Sequence, residues 1–569
     1  MPTPSTSIET IKANLDADLR WRERRHPQWT TTYQLYRDTV ITNRLTQRQS
    51  LNVPLMKETI RTLLSRSGEA ADLAFEDYGN DGQRELLVNA YWDKVAEENK
   101  YELLDVVDKK NVGLYGRSYT KLNILDGEPK LTIHDTFDIL VDRYALPWNI
   151  DTARRVTHVG IFQSLSAIVG NPLHDKTAVA ELTKYFKSDR GLVKAAENAK
   201  AAADKAERME SMGAPDAVSP LLGETYVEMN EIHQKVWHED EKKDVIHVIV
   251  TAEGRKLMEK PLTELLNVNF FLFTSWTDDV EATDWNCDGT GDVVRVPNQI
   301  MNAYFSQLVE NGLLRGYGMN FYDSSKKEGW TPAGYIPEPW GFYPLPGKPS
   351  EVLQHIDIPE LASHMEEMAM MKNMVQTATA TPPVEKGDTP KGPQTLGEIE
   401  LLVAKADERL KDIPKFARIH AKQLGHKWAA LVSANTDKLK PVTLYKKSAS
   451  GKYYPYDLTP AELKAPQGYN CVVTLKSEKE ADSLKAIQKL KIVQAQFPTN
   501  VPLQRITKER MLAWLDLPPD EKREVMDFED QVPALMPGTG PGAPVPGSAA
   551  LPPTRQTVGS VINQGIPTA

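Results

Sequence analysis

Apolar residues recur along this chain with two different periods, and the changes between them divide it into parts. The longest stripe runs through Leu396, Ile399, Leu402, Ala406, Leu410, Ile413, Phe416, His420, Leu424, Trp428 and Leu431. Steps of three and four place all of these on one helix face. Thr395 with Glu398 forms a capping box just ahead of it. The pattern predicts a helix from Leu396 to Ser433, roughly 55 to 60 Å long if straight, with a kink at Pro414. So long a rod suits an assembly of copies stacked side by side better than a single compact domain. Before it, Thr377 to Gln394 is rich in Pro, Gly and Thr and reads as a loop. A shorter helix precedes that loop. It resumes near Pro359, runs through Leu361, Met365, Met368 and Met371, and ends near Val375. Its methionines read as ordinary packing or as an adaptable contact between sliding subunits.

The N-terminal part is helical. Ile8, Ile11, Leu15 and Leu19 form one stripe, Tyr33, Tyr36 and Val40 a second, and Leu55 to Leu64 a third. The basic turn Trp21 to His26 between the first two reads as a solvated turn, or as a contact for DNA or an acidic neighbour. Two further helices are expected from Gln83 to Leu114. The period then becomes two, predicting strands at Ser118 to Leu125, Lys130 to His134, Phe137 to Val141 and Arg155 to Gln163, with a turn at Asp126-Gly127. Residues 164–218 return to helix, and Lys194 to Arg208, rich in Ala, Lys and Glu, reads as an exposed one. Strands follow at Glu224 to Trp237, Asp244 to Thr251 and Lys256 to Glu259, with a turn at Glu253-Gly254.

Asp292 to Leu314 predicts another helix, with Val296, Ile300, Met301, Tyr304, Leu308 and Val309 on its apolar face. Residues 315–357 hold many prolines and aromatics and read as a compact, loop-rich module with a few short strands. Beyond the long helix come strands at Pro441 to Tyr445, Lys452 to Tyr456 and Asn470 to Leu475. A capped short helix at Thr459-Pro460-Ala461-Glu462 lies among them. A helical region opens at the Ser477/Glu480 capping box and reaches Met526. From Pro533 on, the tail of Pro, Gly and small residues reads as disordered.

Composition narrows the class. The chain has 569 residues, 40% of them hydrophobic, and a formal charge of −10. An acidic balance argues against a protein built to grip nucleic acid tightly, but not against a surface that nucleic acid slides past. Two cysteines, Cys287 and Cys471, imply no disulfide framework. The polar N-terminus has no signal-peptide pattern, and the most apolar run, near Val268 to Phe273, is too short to span a bilayer, so a soluble protein is expected.

Candidate chemistry is sparse. His233 and His238 lie five apart in a predicted strand and so point to opposite faces. With His247 they make a poor zinc site, and no metal is expected. Asp284, Asn286, Asp288 and Gly289 match the opening of a calcium loop. The twelfth position, where a bidentate carboxylate belongs, is Arg295. Asp284 to Asp292 therefore reads as half a motif, a polar turn or a calcium site. No phosphate-binding glycine loop, nucleophile elbow, HExxH or paired-cysteine site occurs. The residues alone imply an α+β protein of several parts with a long helical rod and a structural role, with no enzymatic activity and no cofactor.

The order of these parts resembles the portal (head-to-tail connector) proteins of tailed double-stranded DNA bacteriophages. GTGDVVRVPNQIMNAYFS, Gly289 to Ser306, is similar to the start of the family's first stem helix, with Gly291, Asp292, Gln299 and Asn302 at its marked positions. The helix, loop and helix from Pro359 to Leu396 resemble the second stem helix, tunnel loop and wing helix. TFDILVDRYALPWNIDTARRVTHVGIF and KVWHEDEKKDVIHVIVTAEGRKLMEKP resemble wing strands. The resemblance covers about residues 30–530. The insertion at 188–218 and the long tail depart from it.

The resemblance implies a subunit with a wing (1–291 and 395–476), stem helices at 292–315 and 358–376, a clip at 316–357, a tunnel loop at 377–394, a crown at 477–530 and a disordered tail at 531–569. Twelve such subunits would ring one capsid vertex of the virion, assembled in the host cytoplasm. They would pass double-stranded DNA in during packaging and out during ejection. Partners would be the major capsid protein, a scaffolding protein, the terminase large subunit and adaptor or tail proteins, with no membrane. The clip aromatics Trp330, Tyr335, Trp340, Phe342 and Tyr343 would serve terminase or adaptor docking. Lys386 and Lys391 would face DNA from the tunnel loop. Nothing resembles an ATPase site, so the motor would be a separate protein. Two rival classes remain: a calcium-dependent or acid/base enzyme acting on a polymer, with Asp278, Asp279, Asp284 and Asp288 at its site, and another ring-forming phage structural protein such as an adaptor.

Overall fold

A computed structural model describes residues 6–38, 51–66, 70–79, 81–213, 224–239, 242–277, 279, 285–317, 319–322, 353–356, 362–379, 412–447 and 453–474. The fold is α+β. Helices α1 (Ile8–Glu23), α2 (His26–Tyr36) and α3 (Leu55–Arg66) open it. Strand β1 (Asp72–Asp77) and helices α4 (Gly82–Glu98) and α5 (Tyr101–Tyr115) follow. Next come β2 (Ser118–Leu125), β3 (Glu128–His134), β4 (Ile139–Val141) and β5 (Arg155–Ser164), then α6 (Leu165–Gly170), α7 (Lys176–Phe186) and α8 (Asp189–Met212). Strands β6 (Tyr226–His238), β7 (Lys243–Ala252) and β8 (Arg255–Pro261) lead to α9 (Leu262–Leu266) and β9 (Phe273–Trp276). The chain continues through α10 (Thr290–Tyr317), β10 (Met319–Tyr322), β11 (Leu353–Ile356), α11 (Ala362–Ala378) and α12 (Asp412–Ala434). It closes its described part with β12 (Val442–Lys447), β13 (Tyr453–Leu458) and β14 (Tyr469–Thr474).

Strands β4 to β8 form an antiparallel meander in chain order, with α6 to α8 inserted between β5 and β6. A second sheet has the order β3-β2-β9, and β1 pairs with β14. The expected tight turns fall where Asp126-Gly127 and Glu253-Gly254 both adopt positive φ, the pairing that matches strand twist in a two-residue hairpin. The expected capping box is also present: the Thr459 side chain caps a short 3-10 helix from Pro460 to Leu463, and Glu462 reaches back to the Thr459 N–H. Two strands have no counterpart in the sequence reading. Strand β1 is short but alternates cleanly, with Leu73, Phe75 and Asp77 inward. Strand β9 is buried on both faces, and so has no alternation to detect.

The main core surrounds α12. Trp428 is fully buried, with its ring 4.9 Å from both Phe75 and Trp92 and 6.0 Å from Tyr91. Leu424, Leu431 and Val432 are buried beside it. The stripe on this part of the helix is therefore satisfied within its own chain. Residues 396–411, against which a kink at Pro414 would be judged, lie outside the described residues, as do 477–530 and the tail.

Helix α8 exposes one side along Lys194 to Arg208, as expected, and docks its other side on the sheet, in part through polar groups. Asn198 Nδ2 donates to Tyr226 O (3.1 Å), Lys205 Nζ to Gly160 O (2.9 Å) and Arg208 Nε to Asp135 (2.6 Å), while Ala202, Met209 and Met212 fill the seam. Low apolar content alone does not reveal a helix docked through polar groups. No helix among the described residues is long and apolar enough to cross a membrane.

Candidate functional site

The stretch singled out by its motif is the N-terminal half of α10 and its seat. Trp285 anchors the approach, donating from Nε1 to the Tyr119 hydroxyl (2.8 Å) beneath the Arg117 guanidinium. The chain then turns into α10 against α5. A Cβ at Gly291 would lie 2.3 Å from Leu114 O, so only glycine lets the two backbones approach this closely. Asp292 accepts the Gly289 N–H at 3.1 Å, closing the first turn. Burial raises the Asp292 pKa, and the Gly289 N–H and Arg25 offset part of that rise.

Arg25 comes from the basic turn and meets this segment. Its guanidinium donates to the Asp288 carboxylate and to Asn286 O (2.9 Å) and lies 3.9 Å from Asp292. Arg22 likewise donates to Phe137 O. Of the alternatives for that turn, Arg25 meets an acidic neighbour within the same chain, whereas Arg22 meets a backbone carbonyl. The same contacts lie within the candidate calcium loop. Helix α10 begins at Thr290, so the seventh to twelfth positions of the supposed loop are helical. Arg25 supplies the positive charge opposite Asp288, and Arg295 pairs with Asp292 at 3.5 Å. Asp279 Oδ2 accepts the Asp288 N–H (3.3 Å), while Asp278 and Asp284 lie outside the described residues. Among the described residues no three His, Cys, Asp or Glu side chains are grouped to hold a metal. His233 turns to Glu231 (2.7 Å), whereas His238 and His247 meet at 2.8 Å.

One turn further on, α10 shows an unexpected face. Its buried positions are Val294, Asn298, Met301 and Asn302. Asn298 Oδ1 accepts the Met56 N–H (2.9 Å), its Nδ2 donates to Val53 O (3.0 Å) and Asn302 Oδ1 (3.1 Å), and Asn302 Oδ1 also accepts the Val53 N–H (2.7 Å). Two asparagines thus hold the start of α3. Val293, Val296 and Ile300 face outward at 47%, 50% and 37% exposure. Of the expected apolar face, Met301 is buried, whereas Val296 and Ile300 are exposed. Of the marked residues, Gly291 and Asp292 lie at the first turn of α10 against α5, Asn302 lies further along the helix against the start of α3, and Gln299 is exposed. Sequence reading missed Asn298, although an Asn pair four apart on one helix was its available signal.

Helix α11 packs back along α10, with His364 Nε2 3.1 Å from Gln307 Oε1 and its ring 4.8 Å from that of Tyr304. Val375 is buried at the base, and Met368 and Met371 pack there. Met365, Met370 and Met374 are exposed. The helix ends at Ala378, so Thr377 and Ala378 belong to it rather than to the loop. At the other end of the pair, β10 and β11 join antiparallel, Met319 opposite Ile356. The aromatics Trp330, Tyr335, Trp340, Phe342 and Tyr343 and the loop lysines Lys386 and Lys391 lie outside the described residues.

No protein-family model matches this chain, and no curated protein does. A solved structure that does match is a chain described as "Neck of empty GTA particle computed with C6 symmetry". It is 11% identical, with 87% of this chain and 93% of that chain covered, at a TM-score of 0.33.

Proposed function

We propose that this chain is the subunit of a portal ring, a channel for double-stranded DNA at one capsid vertex. The observation that carries the reading is the helix pair α10 and α11. It rises from a polar seat on the body, and β10 and β11 close it at the far end. It also presents Val293, Val296 and Ile300 outward. An isolated domain gains nothing from such a stripe, whereas a neighbouring copy in a closed ring would bury it by head-to-tail contact. The opening resemblance, at Gly291, Asp292 and Asn302, falls on the residues that build the seat. The net charge of −10 suits a conduit, because phosphate affinity grows with each cation that displaces counterions.

In this reading the ring is a dodecamer in the virion. The clip at 316–357 docks terminase and later adaptor or tail proteins, and scaffolding and major capsid proteins surround the wing. Lys386 and Lys391 make brief phosphate contacts in the lumen. The protein is structural, and ATP hydrolysis belongs to a partner. Imaging of the purified chain tests this: symmetric rings with a central hole are expected, and uniform compact particles without one would refute the reading. Within rings, Lys386→Glu with Lys391→Glu should leave assembly intact but lower DNA retention in a salt-dependent way. Unchanged retention would remove the loop from the DNA path.

A further inference from the structure

The connection between β4 and β5 displays Tyr144, Leu146 and Trp148 at 75%, 50% and 47% exposure. It is pinned along its length all the same. Tyr144 N–H donates to Asp142 Oδ1 (3.2 Å) and Leu146 N–H to Thr152 Oγ1 (2.8 Å). Pro147 O accepts from Arg117 Nη1 (2.6 Å), and Trp148 O from Gln423 Nε2 of α12 (3.2 Å). A pinned loop loses little entropy on docking, and Tyr, Trp and Arg are the side chains that anchor interfaces. Arg143 lies over the Tyr144 ring at 4.5 Å. Ile419, one turn before Gln423, extends the patch at 46% exposure, and exposed Lys422 stands beside it on α12. Arg143 and Lys422 make no ion pair among the described residues. The nearby acids are engaged: Asp142 is buried and caps the Tyr144 N–H, and Asp151 pairs with Lys427 (2.8 Å). The patch is therefore cationic.

The opposite flank has the opposite sign. Trp428 lies about two and a half turns beyond Ile419, on the far side of α12. There it meets Phe75 of β1 and Tyr91 and Trp92 of α4. Helix α4 thus packs on the side of α12 away from the loop. Its outer stripe is Leu86, Ala90, Asp93 and Glu97, across the helix from buried Val88, Trp92 and Val95. Leu86 is 60% exposed, and Asp93 and Glu97 are exposed too. Neither acid is in an ion pair among the described residues, whereas Lys94 pairs with Glu98 at 3.6 Å. Past the helix end Lys100 and Glu102 are both exposed and cancel in charge.

We propose that the basic, aromatic loop of one copy docks on the acidic outer stripe of α4 in the next copy. The inference rests on the ring reading and adds a second contact to the α10 stripe. Arg143 and Lys422 meet Asp93 and Glu97, and the loop's apolar side chains lie against Leu86 and Ala90. Two unlike patches on opposite flanks are what a head-to-tail contact needs, whereas a two-fold contact through the loop would set its cations against themselves.

Sedimentation velocity of full-length charge-reversal variants tests this. Arg143→Glu with Lys422→Glu, and separately Asp93→Lys with Glu97→Lys, should each raise the concentration for half-assembly at least tenfold. All four side chains are exposed, so the unfolding temperature should not change. An equimolar mixture of the two variants places opposite charges at every contact of an alternating ring and should assemble as the parent does. In the parent itself, raising NaCl from about 50 mM to about 500 mM should weaken assembly at least threefold. Either variant assembling alone as the parent does, a mixture of folded variants that fails to recover, or salt-insensitive parent rings would each overturn the contact and leave the ring reading standing. A parent that forms no rings would refute the ring reading, and this contact with it.

Discussion

Helices α12 and α10 both carry apolar residues at helical spacing, yet they use them in opposite ways. In α12 the period is the core: Leu424, Trp428 and Leu431 lie inward, and Trp428 touches three aromatic rings of its own chain. In α10 much of the period faces out. Asparagines occupy the inward face, and Val293, Val296 and Ile300 meet solvent in the single subunit. Apolar periodicity says that a stripe must be buried. It does not say whether the surface that buries it belongs to the same chain.

The largest effects should come from α12. Trp428→Ala removes the centre of the aromatic cluster and should cost about 3 to 5 kcal/mol in denaturant unfolding. A cost below about 1 kcal/mol would mean that the helix is not the core. Next comes a pH effect on the same helix. His420 is buried against Trp276, with Nε2 3.2 Å from Thr274 Oγ1, and burial followed by the Lys427 charge lowers its pKa to about 4. A histidine held neutral in the fold but titrating near 6.5 when unfolded contributes stability above 6.5. That contribution is lost as pH falls from 6.5 towards 4, by about 3 kcal/mol in all. His420→Gln should flatten that slope, as read from unfolding midpoints across the range. An unchanged slope would place the titration elsewhere.

On α10 the polar seat should matter more than the apolar stripe. Asn298→Ala leaves the Met56 N–H and Val53 O without their partner and should cost about 1 to 3 kcal/mol. By contrast, Val296→Glu with Ile300→Lys, a favourable i,i+4 pair on an exposed face, should change subunit stability by no more than about 0.5 kcal/mol. If the asparagine variant were neutral and the stripe variant severe, the contrast between the two helices would be reversed.

Much of the fold was legible. The strands β2 and β5 to β8 fall where runs of strand-forming residues predict them, the turns after β2 and β7 carry Gly at positive φ, and Thr459 with Glu462 announces its helix. What escaped reading has physical reasons. Strand β9 is buried on both faces and shows no alternation. Helix α8 docks through Asn198, Lys205 and Arg208, residues that sequence rules assign to water. At the candidate site, Gly291, Asp292 and Asn302 were legible because a motif marks them. The Arg25 contact to Asp288 was not, since it joins positions far apart in the chain. The outward turn of Val296 and Ile300 was also hidden, because local sequence treats every apolar surface alike.

The most direct test of the account is sedimentation velocity at micromolar concentration, comparing the parent chain with the Val296→Glu, Ile300→Lys variant. The account predicts a large, discrete ring species for the parent and a 63.8 kDa monomer of unchanged unfolding temperature for the variant. A parent that stays monomeric at every salt concentration, or a variant that assembles as the parent does, would contradict it.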